Sequence, residues 1–259
     1  MKTLAWVGEK TTGSISSSLI SIGEVSSLFF HVIRNLPQVF KNPALLMQQM
    51  TRMGISSLPL VAVVSVFIGA VTAIQVHYQF RGLVPDTYVG TAVCKFVIIE
   101  SGPVLTALVL AGRIGSSIAA EVGSMKEKEE LDAMIVLNLD PMRYLALPRV
   151  LAGILIFPLL VIIADVLALT GAWAVARWNL GITTTTYIGG LRFLFQTYDV
   201  GVGLAKALSF GVIVSFMGYY QGVRAGAGAR GVGQATMRSV VSSCVLILVV
   251  DFFIVYLVY

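Results

Sequence analysis

The stretch Met53–Phe80, MGISSLPLVAVVSVFIGAVTAIQVHYQF, decides the fold: 28 residues pass without one Asp, Glu, Lys or Arg. At about 1.5 Å per residue, a helix of that length exceeds the roughly 30 Å hydrocarbon core of a bilayer. Three more windows repeat the pattern. Val150–Ala176 carries only Asp165, Ser239–Tyr259 carries only Asp251, and Ala207–Val223 carries no acidic or basic residue. A fifth apolar region, about Val89–Val122, is interrupted by Lys95, Glu100, Arg113 and Glu121. The chain as a whole is 57% hydrophobic and 12% charged, with a mean hydropathy of +0.88. That composition belongs to membrane proteins rather than soluble domains. The expectation is an all-α integral membrane protein with five transmembrane helices, at about 55–80, 89–119, 148–176, 203–223 and 238–258.

Residues 1–52 form a separate N-terminal segment ahead of a membrane domain over 53–259. The segment lacks the compact apolar run and small-residue cleavage site of a signal peptide. Ile15, Leu19, Ile22, Phe29, Ile33 and Leu36 follow a helical rhythm instead, which predicts an amphipathic interfacial helix lying on the membrane surface; a sixth, marginal span is the competing reading. Of the 18 Lys and Arg residues, 13 fall in alternate inter-span segments beginning with the N-terminus. The positive-inside rule then puts the N-terminus and the Lys126–Glu130 charge run in the cytoplasm and the C-terminus outside. Anionic lipid accounts for the net charge of +5, so no nucleic-acid partner is implied.

Several chemistries lack their residues. Two isolated cysteines, Cys94 and Cys244, make no disulfide framework, and with only His31 and His77 there is no metal-ligand cluster. Neither a phosphate-binding P-loop nor a G-x-S-x-G or H-E-x-x-H motif is present. GAGARGVG contains G-x-G-x-x-G at Gly226, Gly228 and Gly231, but it follows a membrane span instead of a strand, which makes it a turn.

The segment Glu100–Met125, ESGPVLTALVLAGRIGSSIAAEVGSM, sets small residues at Gly112, Gly115, Ser116, Ala119, Ala120 and Gly123, a spacing that lets helix backbones approach closely. It serves either internal packing or a seam with a second subunit. Glu100, inside an apolar region, needs water, a partner or a polar cavity. Asp165 and Asp251 are the other intramembrane acids, read as hydrogen-bonded structural groups or, less simply, a proton relay. Gln75 and His77 line a cavity or mark the water interface. Between Arg113 and Arg149 the charges of MKEKEELDAM (Met125–Met134) are followed by Leu131, Met134 or Ile135, and Asn138 or Leu139 at helical spacing. That pattern predicts an amphipathic helix ending at Asn138–Pro141. Such a helix docks a partner or packs on its own protein.

The block ESGPVLTALVLAGRIGSSIAAEVGSMKEKEELDAM, then LDPMRYLALPR, then FGVIVSFMGYYQGVRAGAGARGVGQATMRSVVSSCVLILVVD, resembles the MlaE (YrbE-type) ABC-transporter permeases from about Pro43 onward. The resemblance implies a homodimeric permease of the bacterial inner membrane that moves phospholipids between inner and outer membranes and supports outer-membrane lipid asymmetry. It implies an MlaF-like ATPase holding ATP and Mg, an MlaB-like STAS protein and an MlaD-like MCE-domain ring, with no catalysis and no cofactor in this chain. It makes the segment of about 121–140 a cytoplasmic coupling helix between the second and third spans. Glu127, Glu129, Glu130, Asp132, Leu139, Asp140, Pro141 and Arg143 are its contact residues, and Arg149 matches a further pattern position. Lipid-cavity candidates are Gln75, Tyr78, Lys95 and Glu100; Gly112, Gly115, Ser116 and Ala119 are the dimer or helix-packing candidates. Two departures stand out: Glu130 replaces a frequent Gln, and Ile99 replaces a frequent Arg, which leaves Lys95 to meet a headgroup. A secondary transporter or a non-transporting membrane scaffold is the alternative; the first would need inverted repeats and paired intramembrane ions.

Overall fold

The computed structural model describes residues 43–259, and every regular element among them is helical. The amphipathic helix expected from Ile15 to Leu36, and its sixth-span alternative, lie outside the described residues. In chain order the helices are α1 (Pro43–Ile55), α2 (Leu58–Phe80), α3 (Thr87–Glu127), α4 (Glu130–Val136), α5 (Met142–Trp178), α6 (Thr184–Phe193), α7 (Thr197–Val223) and α8 (Gly228–Val258). Five of them, α2, α3, α5, α7 and α8, are long and apolar enough to cross a membrane. The chain is a multi-pass helical membrane protein.

Span boundaries differ from expectation where charges sit. The second span runs on to Glu127, the third begins at Met142, the fourth at Thr197 and the fifth at Gly228. A window chosen to lack charge stops at the first ionisable residue, whereas a helix continues through it once that charge has a partner or reaches water. The fourth span therefore includes Asp199 and Lys206, both buried.

The single helix expected over about 121–140 is two pieces. α3 ends at Glu127, Glu129 turns the chain in the left-handed region (φ 60°), and α4 follows as a short helix. Asn138 (φ 57°) closes α4. Its N–H donates to the Ile135 carbonyl at 2.9 Å, and the Leu139 N–H donates to the Met134 carbonyl at 2.9 Å. This paired pattern satisfies carbonyls that a helix end leaves open, and Asn tolerates the left-handed backbone better than most residues. Asp140 then caps α5: its Oδ1 accepts from the Met142 N–H at 2.9 Å, ahead of Pro141, which needs no amide partner in a first turn. We call this projecting α3–α4–α5 connection the hairpin, and its side of the bundle the hairpin end.

α7 is central, packing on α3, α5 and α8, while α2 packs chiefly on α5. Close backbone approach sets the α2–α5 pair. A methyl group at Gly69 would collide with the Ala168 carbonyl, and one at Gly171 with the Val66 carbonyl. Phe157, Phe210, Leu110, Leu160 and Ile247 fill the buried interior. α8 is buried only at Ala235, Ser239, Ser243, Ile247 and Asp251, one residue every four. That stripe seats one face on the bundle; Ser239 Oγ donates to the Gly115 carbonyl at 3.2 Å. The glycines at Gly226, Gly228 and Gly231 build the tight α7–α8 connection: Gly228 has φ 72°, and a methyl at Gly231 would strike the Gly226 backbone. No strand precedes them among the described residues.

Gly69→Val and Gly171→Val should each force α2 and α5 apart and cost about 1–3 kcal/mol or more. Gly112→Ala, with nothing within 4 Å of the added carbon, should leave monomer stability unchanged. Thermal unfolding in detergent reads both. By the same measurement Asp140→Ala should lose about 1 kcal/mol through the cap, and Asp140→Asn should retain it.

Candidate functional site

The bundle gathers ionisable groups at two levels. At the end opposite the hairpin, a π-helical turn at Val97–Ser101 interrupts α3 just before Gly102–Pro103. The widened turn inserts a residue into the helix and brings Glu100 onto the side that packs on α7. Lys206, on α7 and fully buried, places Nζ 2.6 Å from Glu100 Oε2 and 2.7 Å from Asp251 Oδ1 on α8. Beside this triad, Lys95 Nζ lies 3.0 Å from Asp199 Oδ2, and the Tyr259 hydroxyl donates to Asp199 Oδ1 at 3.4 Å. Two ammonium groups meet three carboxylates, so the cluster carries a formal charge of −1.

Exposure separates the roles within it. The Lys206 side chain is 0% exposed and that of Asp251 11%, whereas Glu100 is 39% and Lys95 35% exposed. Lys206 and Asp251 are the buried members of the cluster, and Glu100 and Lys95 are its partly exposed acid and base. Gln75 and Tyr78 do not join them. They are exposed on α2 and make no side-chain hydrogen bond, with Tyr78 81% exposed. Asp165 is half-buried on α5 against Gly102, its buried Oδ1 has no hydrogen-bond partner among the described residues, and it forms no ion pair with the cluster.

Neither Lys206 nor Asp199 is among the site residues that the sequence suggests. Lys206 lies just inside the expected fourth span of 203–223 and Asp199 just before it, and both precede the uncharged Ala207–Val223 window. The signal was available: Asp199 and Lys206 are seven residues apart, one face of a helix extended two turns backward, and Asp251 closes the four-residue stripe of α8.

At the hairpin end, Glu121 of α3 is shared. Its Oε2 meets Arg52 Nη1 of α1 at 2.8 Å and its Oε1 meets Arg149 Nη2 of α5 at 3.0 Å. Arg149 also donates to the Leu145 carbonyl at 2.9 Å and is only 3% exposed. Arg149, which matches a pattern position beyond the expected coupling helix, is an internal brace. Farther out, Glu127, Glu129, Glu130, Asp132, Asp140 and Arg143 are exposed. Apart from the Asp140 cap, none makes a side-chain bond to another described residue. α4 buries only Leu131 and leaves Ile135 61%, Val136 86% and Leu137 70% exposed, with Leu139 38%. Pro141 is half-buried at the start of α5. Of the small residues, Gly115 and Ala119 pack inside the chain: Gly115 lies against Val214 and Ser239, and Ala119 beside Gly222. Gly112 faces open space, and Ser116 turns its hydroxyl back to the Gly112 carbonyl.

Five membrane-crossing helices, an ion cluster at one end and an exposed charged and apolar hairpin at the other define a multi-pass membrane protein. The sequence profile of the MlaE permeases, described as "Permease MlaE", matches residues 46–257. The chain is 41% identical over 211 residues to a probable ABC transporter permease protein of Rickettsia typhi, covering 82% of each. It is 37% identical over 234 residues to one of Rickettsia felis, covering 90% of each. It is also 30% identical over 233 residues to the intermembrane phospholipid transport system permease protein MlaE of Haemophilus influenzae, covering 90% of this chain and 89% of the relative. The chain belongs to the MlaE family of ABC-transporter permeases.

Lys206→Ala should strand two carboxylates in the membrane and cost about 3–5 kcal/mol. Combining Lys206→Met with Glu100→Gln and Asp251→Asn removes all three charges and should recover most of that loss. The comparison is made by thermal unfolding in detergent; equal stability of the single and triple variants would contradict the ion-pair assignment.

Proposed function

We propose that this chain is the membrane subunit of an ABC transporter that moves phospholipids between inner and outer membranes, powered by a separate ATPase that holds ATP and Mg. The observation that carries the reading is the hairpin. Ile135, Val136 and Leu137 form an exposed apolar ridge, ringed by charges without ion-pair partners among the described residues. Central apolar anchors inside a charged rim are the anatomy of a protein docking surface. The chain carries no P-loop of its own, so force must reach it through contact. An MlaF-like ATPase seated on Ile135–Leu139, with Glu127, Glu129, Glu130, Asp132 and Arg143 fixing its orientation, supplies that force.

The rest of the assembly follows the family and is proposed on that basis. The hairpin is cytoplasmic, as the Lys and Arg bias requires, and the membrane is the bacterial inner membrane. Two copies form a homodimer, with the open face at Gly112 and Ser116 available as a seam. An MlaD-like MCE ring sits over the end that carries Glu100, and an MlaB-like STAS protein binds the ATPase. Lys95 and Glu100 meet the phospholipid headgroup, and α3 links that headgroup to the hairpin within one continuous helix.

Val136→Glu combined with Leu137→Glu should leave the unfolding temperature unchanged, since both side chains are exposed. It should weaken co-purification with the ATPase about 30-fold, the loss of one hot spot of ~2 kcal/mol, and abolish ATP-dependent lipid transfer between liposomes. Normal ATPase assembly by this variant would remove the hairpin from the coupling role.

A further inference from the structure

A second charged recess lies at the hairpin end, far along α3 from Glu100. It is a cavity of about 240 Å³ between α1 and α3, walled by Gln49, Arg52, Ser57, Arg113, Ser117 and Glu121. Its charges do not balance. Glu121 has both oxygens committed, Oε2 to Arg52 and Oε1 to the buried Arg149. Arg113 is exposed and has no carboxylate within ion-pair distance among the described residues. The two guanidinium groups and one saturated carboxylate of the wall leave a formal +1, and the buried Arg149 behind Glu121 adds a further positive charge. Ser57 is 0% exposed, and its hydroxyl has no hydrogen-bond partner although it forms part of the cavity wall. A buried hydroxyl without a partner costs free energy, so the wall is built for a polar occupant.

The depth of the recess says which anion suits it. Ser56 and Ser57 immediately precede the 23 uncharged residues of α2, so the cavity lies where the apolar span begins. Directly along α2, at helical spacing from Ser56, an exposed apolar track starts: Leu60, Val63, Phe67 and Val71, exposed by 41%, 58%, 66% and 50%. A phosphate held by Arg113, Arg52 and the serine hydroxyls would have its acyl chains on that track. A planar guanidinium suits a phosphodiester, which it can hold with two parallel N–H bonds.

We propose that this recess binds the phosphate of an anionic phospholipid from the leaflet at the hairpin end. The site is separate from the Lys95–Glu100 group and does not depend on the transport role of the chain. The lipid would tie α1 to α3 through a charge left uncompensated among the described residues.

The test uses the full-length protein in nonionic detergent. Short-chain phosphatidylglycerol is titrated by native mass spectrometry, with inorganic phosphate as competitor, and a phosphatidylglycerol bearing an acyl-chain diazirine is photolysed against the same samples. Arg113→Gln should weaken phosphatidylglycerol binding about tenfold, the loss of one charge-assisted contact, and Ser117→Leu should do so by filling the cavity. Arg113→Lys should retain most of the affinity. Photolabel should fall on Leu60–Val71 of α2 and disappear with Arg113→Gln. Unchanged unfolding temperatures show that these exposed substitutions leave the fold intact. If inorganic phosphate competes at equal concentration, or the label misses α2, the occupant is a soluble anion and the lipid assignment fails. If Arg113→Gln and Ser117→Leu both bind phosphatidylglycerol like the native chain, the site itself is overturned.

Discussion

Burying Lys206 is the constraint around which the membrane bundle is arranged. An ammonium group withdrawn from water into an apolar interior is tolerated only with counter-charges at contact distance. One carboxylate comes from α3 and the other from α8, at 2.6 and 2.7 Å. No single helix can supply both, so three spans are held in fixed register at that end. The π turn that delivers Glu100 and the four-residue stripe that ends on Asp251 serve the same requirement. Such a pair contributes specificity more surely than net stability, because Coulomb attraction mostly offsets the desolvation of its members.

The small residues do complementary work. Between α2 and α5, Gly69 and Gly171 let two backbones touch, so those helices are matched by shape alone. α3, α7 and α8 are matched by charge at one end and by Ser239 on the Gly115 carbonyl near their middle. Steric registration tolerates no sliding, whereas ion pairs can stretch or exchange partners with incoming groups. The half-exposed Glu100 and Lys95 belong to the second kind of contact.

Much of this was legible in the sequence. Uncharged runs long enough for a bilayer gave the number of spans, and the charge run after Met125 marked the projecting segment between the second and third. Asp251 and Glu100 were recognisable as costly, because an apolar neighbourhood makes any carboxylate conspicuous. Their partner was not. Lys206 sits at the edge of its uncharged window, and pairing between residues 106 positions apart leaves no local trace. The two left-handed residues were hidden for another reason: Glu129 and Asn138 take that conformation to turn the chain, and a Glu there runs against the preference for glycine. Nor does the sequence disclose that Arg149 is buried, because its partner Glu121 lies on another helix.

Among the described residues Leu131 is the one fully buried side chain of α4, with Met134 partly buried beside it. The turns on either side are fixed by backbone hydrogen bonds, with Asp140 as the one side chain taking part. The rest of the helix is therefore a replaceable cassette. Its outward sequence can drift, or be exchanged with that of a related permease, without disturbing the membrane core. Under the docking role proposed for this hairpin, compatibility with a different ATPase would be a matter of rewriting a handful of surface positions while the membrane bundle stayed folded.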